Sequence, residues 1–250
     1  MDQSQLTQVE TLCLALYQGT SSSARTEAQK QLLMLQSTAD FIPQCQFILD
    51  NSTLPYAQLV ASSSLENLVT QFWNSFTTEQ KVELRNYVLN YLATHAHNIE
   101  EFVVNNLAKL LCRITKLGWF DSPEHREIVE EVTKFLDATV DHNLIGLKLF
   151  NSLVDEMNTP IPGRTLTLHR KAAVSFRDQT LLQIFQVAIS TLKRIQVGAE
   201  RSIPPEKENK MANLALSIST ECLSFDFIGT NPEESAEDVG TVQVRFNCHF

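Results

Sequence analysis

Three basic side chains stand out in an acidic sequence. Lys109, Arg113 and Lys116 follow one another at i, i+4 and i+7, a spacing that places them on one face of a helix. That face lies opposite the apolar residues of the same predicted helix. The pattern therefore fits either a solvated helix face or a cationic surface that binds an acidic partner, and spacing alone leaves both interpretations open.

The other residues with chemical potential are isolated from the partners that they would need. Cys112 has cations nearby that would favour its thiolate, but no base or orienting carboxylate accompanies it. His95 and His97 are two residues apart and point to different sides of a helix, with no third metal ligand nearby. Glu130 and Glu131 are adjacent and diverge. We therefore predict no catalytic residue, no metal site and no bound cofactor.

These residues require helices to position them, and the sequence from Arg85 to Asp121 predicts two. Apolar residues recur there at the i, i+3, i+4, i+7 spacing of amphipathic helices. They are Leu84, Tyr87, Val88, Tyr91 and Leu92 in the first helix and Val103, Leu107, Leu110, Ile114 and Leu117 in the second. Because two helices bury only part of such faces, further helix pairs must stack on either side.

The rest of the chain predicts helices of the same kind. We expect them over residues 3–18, 21–36, 41–49, 55–72, 122–137, 143–156, 167–195, with an irregularity near 176–178, and 206–223. Successive pairs start near residues 77, 122 and 165, so they are 45 and 43 residues apart. This agrees with the roughly 40–47-residue period of HEAT-type helix pairs. The fold class predicted from the residues is all-α.

Composition limits the possible partners. The 250 residues are 43% hydrophobic and carry 20 basic and 29 acidic side chains, a formal charge of −9 that repels nucleic acid. Five cysteines without a C-x-x-C pair indicate a reducing compartment rather than a disulfide framework or zinc site. No apolar run approaches the roughly 20 residues that span a bilayer. We predict neither nucleic acid binding nor membrane insertion.

Four stretches resemble a known family. RNYVLNYLAT (85–94), RITKLGWFD (113–121), HRKAAVSFRD (169–178) and CLSFDFIGT (222–230) are similar to the N-terminal part of the exportin-7 and Ran-binding protein 16 and 17 family of the importin-β superfamily. The match extends from about Leu6 to Gln243. It implies a right-handed α-solenoid of HEAT-like antiparallel helix pairs over residues 1–230. The charge pattern, with acidic residues and no basic residue before Arg245, predicts an acidic, flexible and atypical tail over residues 231–250.

The resemblance also implies a function. The chain would be the N-terminal portion of a nuclear transport receptor that binds the small GTPase Ran in its GTP form and shuttles between nucleus and cytoplasm. Protein cargo and nuclear pore proteins would be partners of the full-length receptor, and the protein would not be an enzyme. Lys109, Arg113 and Lys116 would lie on the concave surface that holds Ran. We expect Arg113→Glu with Lys116→Glu to weaken Ran binding without unfolding the protein.

Small residues in the fourth helix allow two interpretations. Ala57, Ala61 and Ser62 to Ser64 would let a neighbouring helix approach closely, either by plain packing or with contact to a partner. A wider alternative is a HEAT-like scaffold without transport activity, whose partners ignore the nucleotide state of Ran.

The end of the chain departs from the family, whose receptors are several times longer. The final VRFNCHF does not resemble the expected continuation. A fragmentary gene model, intron read-through or a short isoform would each produce it. With no later repeat to cover Phe225, Phe227 and Ile228, we expect the isolated chain to self-associate or to fray from its C-terminal end.

Overall fold

The computed structural model describes residues 1–35, 39–197 and 203–225, which form helices joined by short connections. No strand occurs in these three ranges. The predicted all-α fold class is therefore confirmed. The predicted acidic tail over residues 231–250, with Phe227 and Ile228 before it, lies outside the described residues.

Two compact units divide the chain, and the first is Met1–Gly118. Its helices are α1 (Gln3–Gln18), α2 (Ser22–Leu35), α3 (Ile42–Asn51), α4 (Pro55–Phe72), α5 (Thr78–His95) and α6 (Glu101–Gly118). Consecutive helices pack as pairs, α1 with α2, α3 with α4, and α5 with α6. Because each pair is joined by a short connection, its two helices run antiparallel.

Helices α4 and α6, the second helices of two successive pairs, run parallel. The polar contacts between α4 and α6 include Ser63 with Asn106, Glu66 with Lys109 and Thr70 with Arg113. The two partners are 43 residues apart in each contact, and a constant offset along two helices requires that they point the same way. The offset lies within the range for HEAT-type pairs, so α4 and α6 repeat with a HEAT-type period.

The second unit begins at Trp119. Its helices are α7 (Ile128–Leu136), α8 (Val140–Asn158), α9 (Leu166–Phe176), α10 (Leu182–Gln196) and α11 (Pro205–Leu223). A π-helical segment, Arg177–Leu181, joins α9 to α10 without a break, which confirms the predicted irregularity. Helix α11 packs against both α8 and α10.

Three of the stretches that carry the family resemblance meet in the core of this second unit. The indole Nε1 of Trp119 donates to the hydroxyl of Ser175 at 2.9 Å. The ring of Phe176 lies 5.8 Å from that of Trp119, edge on, and 5.8 Å from that of Phe225. We predicted that Phe225 would be part of an uncovered apolar face. That was wrong, because Phe225 is only 2% exposed. These residues stabilise the unit by packing.

Local signals explain most helix boundaries. Thr77 and Gln80 form a capping box at the start of α5, and Pro55 occupies the first turn of α4, where its missing N–H costs nothing. The predicted start at Ser122 was wrong. A 3-10 turn, Pro123–His125, comes first and α7 begins at Ile128, because the Ser122 side chain makes no capping hydrogen bond.

Candidate protein-binding surface

Helix α6 leaves only a narrow strip to solvent. Of its 18 residues, 11 are buried, and they lie on nearly all sides of the helix. The exposed positions are near its N-terminal end and include Phe102, Asn105 and Lys109. Any partner of the first unit that contacts α6 must therefore contact this strip and the adjoining face of α4.

The predicted cationic row is only partly exposed. The side chain of Lys109 is 55% exposed and that of Arg113 is 12% exposed, whereas Lys116 is buried at 5%. The prediction that all three lie on an open face was wrong for Lys116. A spacing of seven residues returns a side chain to within about 20° of the same direction, but it does not specify which turns of a helix are covered. The last turns of α6 are covered.

A glutamate that the sequence reasoning did not identify holds the two remaining cations. Glu66 of α4, with a side chain 14% exposed, lies 3.2 Å from Nζ of Lys109 and 3.7 Å from Nη2 of Arg113. Nη1 of Arg113 also donates to the hydroxyl of Thr70 at 3.4 Å. The 43-residue repeat could have indicated Glu66, since it is the α4 residue equivalent to Lys109.

The small residues of α4 serve packing. Ala57, Ala61 and Ser62 are each fully buried, and Ser64 is 1% exposed. Nδ2 of Asn106 donates to the hydroxyls of Ser62 and Ser63 at 2.9 and 3.0 Å. Of the two interpretations of these residues, the structure supports close approach between α4 and α6.

A ladder of three aromatic rings crosses one end of the same surface. Tyr17 of α1 stacks on Tyr56 of α4, with ring centroids 4.9 Å apart and planes 10° from parallel. Tyr56 in turn stacks on Phe102 of α6 at 6.4 Å and 20°. The two end rings remain 45% and 40% exposed. We call Tyr17, Tyr56 and Phe102 the aromatic ladder; no sequence motif had indicated it, because its members belong to three separate helices.

The buried polar groups of the first unit belong to its core. The hydroxyl of Tyr87 donates to Oδ1 of Asp50 at 2.9 Å, and that of Tyr91 donates to the carbonyl oxygen of Leu49 at 2.9 Å. Burial is the main cause that raises the pKa of Tyr91 to about 12. These tyrosines therefore stay neutral and join α5 to α3.

The remaining candidates for chemistry do not form a site. Cys112 is 2% exposed. The ring of His95 stacks on Tyr91 at 4.4 Å, while His97 bonds to its neighbour Asn98. In the part of the chain that the structure describes, no group of three or more His, Cys, Asp and Glu side chains could hold a metal ion. Nor is any helix there long and apolar enough to cross a membrane.

Comparison with known proteins gives consistent results. The family model described as Importin-beta N-terminal domain matches residues 28–94. Exportin-7-B of Xenopus laevis and Ran-binding protein 17 of Mus musculus are each 38% identical over 243 residues, which is 96% of this chain and 22% of each relative. Ran-binding protein 16 of Drosophila melanogaster is 38% identical over 245 residues, 95% of this chain and 22% of that protein.

The chain thus spans about a fifth of the length of the curated relatives that it matches. Their names are those of transport receptors and Ran-binding proteins, not of enzymes.

Proposed function

Because this chain belongs to the exportin-7 and Ran-binding protein 16 and 17 family of importin-β-type proteins, we propose that it forms the N-terminal helical repeats of a nuclear transport receptor and binds Ran in its GTP form. The observation that carries the proposal is similarity along 96% of the chain, together with the parallel packing of α4 and α6 at a HEAT-type offset. The relatives are named for export and for Ran binding.

Within this proposal the Ran surface is the strip of α4 and α6 around Glu66. Lys109 is the cation best placed to contact Ran, since more than half of its side chain is exposed. Arg113 contributes less directly, through its contacts with Glu66 and Thr70. Lys116 is buried, so its side chain is not placed to contact Ran directly. Charge reversal at Arg113 and Lys116 together would place new charges in a packed region, so that variant cannot separate binding from folding.

The mechanism proposed for the whole receptor is thermodynamic linkage. Ran in its GTP form and a protein cargo would each raise the affinity of the receptor for the other in the nucleus, and GTP hydrolysis in the cytoplasm would remove this coupling. Cargo, nuclear pore proteins and shuttling between nucleus and cytoplasm are proposed for the full-length protein. The present chain would supply part of the Ran contact.

A pull-down with Ran in its two nucleotide states tests the proposal. The full chain is immobilised and incubated with Ran loaded with a non-hydrolysable GTP analogue or with GDP. We expect retention of the GTP-analogue form only. Equal retention of both forms, or of neither, would instead favour a helical scaffold whose partners do not depend on the nucleotide state of Ran.

A further inference from the structure

We propose that the aromatic ladder is a docking surface for an extended, arginine-bearing segment of a partner protein. The surface consists of Tyr17, Tyr56 and Phe102, with Leu14 one turn before Tyr17 on α1 and also exposed at 39%. It lies seven residues, or about 10 Å along α6, from Lys109. The inference does not depend on Ran binding.

The two end rings of the ladder are unusually exposed for stacked aromatic side chains. Stacked aromatic side chains are normally buried, because each removes a large apolar area from water. Here the middle ring, Tyr56, stacks with both of the other rings, while Tyr17 and Phe102 remain 45% and 40% exposed. Three helices thus hold rigid rings at the surface, where a planar group can stack on them at little entropic cost.

The charge of the segments that contain the ladder residues favours a cation. No lysine or arginine occurs in residues 1–24, 31–80 or 96–108, which include Tyr17, Tyr56 and Phe102. The same segments contain Glu10, whose carboxylate accepts a 2.6 Å hydrogen bond from Ser52, and the exposed Glu101 beside Phe102. Aromatic rings beside an exposed carboxylate attract cations, and such a site repels the phosphates of nucleic acid.

Arginine fits this surface better than lysine does. Its guanidinium is planar and weakly hydrated, so it stacks on an aromatic face and still donates to a carboxylate at the edge of the ring. Ring centroids 4.9 and 6.4 Å apart present a strip along which an extended segment can lie. A lysine ammonium is a compact, strongly hydrated charge and gains less from the rings.

The test measures the affinity of the full chain for a short fluorescein-labelled peptide in which arginine alternates with serine. The full chain is titrated into the peptide, and binding is followed by fluorescence anisotropy. The ladder variant is Tyr17→Leu with Phe102→Leu, which keeps the surface apolar and removes both end rings. The matched control is Phe120→Leu, a 56% exposed aromatic outside the ladder. Peptides with lysine or glutamate in place of arginine, and a single-stranded RNA, are titrated in parallel.

We expect the arginine peptide to bind more tightly than the lysine peptide, and the ladder variant to weaken it by about fivefold or more while the control does not. Glu101→Gln, a single exposed change, should weaken binding about twofold and make it less sensitive to salt. It provides a second test if the ladder variant fails to fold.

Several results would overturn the inference. One is an unchanged affinity of the folded ladder variant for the arginine peptide, and another is equal affinity of the unaltered chain for the arginine and lysine peptides. The inference would also fail if RNA bound more tightly than the arginine peptide, or if the only effect of the ladder substitutions were to abolish self-association of the chain.

Discussion

At the scale of single residues, Glu66 of α4 forms ion pairs with Lys109 and Arg113 of the parallel helix α6. The Glu66 side chain is 14% exposed, and its carboxylate lies 3.2 Å from Lys109 and 3.7 Å from Arg113. This ion pairing offsets much of the desolvation cost of placing the Arg113 guanidinium in a packed position. The sequence spacing indicated the cations but not their counter-ion, since spacing along one helix carries no information about the neighbouring helix. It also could not show that Lys116 is covered.

We therefore predict that Glu66→Gln destabilises the protein more than Lys109→Gln does. Loss of the carboxylate leaves Arg113 largely buried without this partner and should lower the free energy of unfolding by about 1–3 kcal/mol. Lys109 is mostly exposed, so its removal should cost less than about 1 kcal/mol. Urea unfolding of the two variants measures both losses of stability. Equal decreases in the free energy of unfolding would mean that Glu66 does not stabilise Arg113.

A second prediction at this scale concerns the thiols. Burial, with smaller contributions from Glu10 and Glu221, raises the pKa of Cys13 and of Cys222 to about 12 each. A raised pKa means less thiolate at a given pH, here about a thousandfold less than for an ordinary cysteine near pH 8. Alkylation of the folded chain at that pH should be slow at both positions and fast in urea. Rapid labelling of either residue without denaturant would contradict the burial.

At the scale of helices, much of the architecture could be predicted because apolar periodicity and end signals agree. The predicted starts at residues 55 and 77 agree with α4 and α5, where Pro55 occupies the first turn and Thr77 with Gln80 forms a capping box. The start of α8 was placed three residues late, because the cap Thr139, which accepts from the N–H of His142, was not identified. The ladder could not be predicted, since its rings come together only through the packing of α1, α4 and α6.

The capping box gives a prediction for α5. The Thr77 hydroxyl accepts from the N–H of Gln80 at 3.3 Å, and Oε1 of Gln80 accepts from the N–H of Thr77 at 2.9 Å. Thr77→Ala should lower the free energy of unfolding by about 1 kcal/mol. Thr78→Ala, one residue inside the helix, is the matched control and should change it by less than about 0.5 kcal/mol. Chemical denaturation that gave the same midpoint for both would contradict the role of the cap.

At the scale of the whole chain, protection should follow burial rather than position in the sequence. Helix α6 has 11 of its 18 residues buried, whereas only Ala28 and Leu32 are buried among the described side chains of α2. Amide hydrogen exchange should therefore be slowest in α6 and fast in α2. Exchange in α2 as slow as that in α6 would show that the first unit opens only by global unfolding.

If the strip around Lys109 binds Ran in its GTP form, as we propose, a charge reversal at Lys109 must lower the affinity for Ran. Ran loaded with a non-hydrolysable GTP analogue is titrated into the full chain, into Lys109→Glu and into Lys30→Glu, the same charge change at an exposed lysine of α2. We predict that Lys109→Glu weakens the affinity for Ran by about fivefold or more, while Lys30→Glu changes that affinity by less than about twofold. Unaltered affinity in a folded Lys109→Glu variant would contradict it.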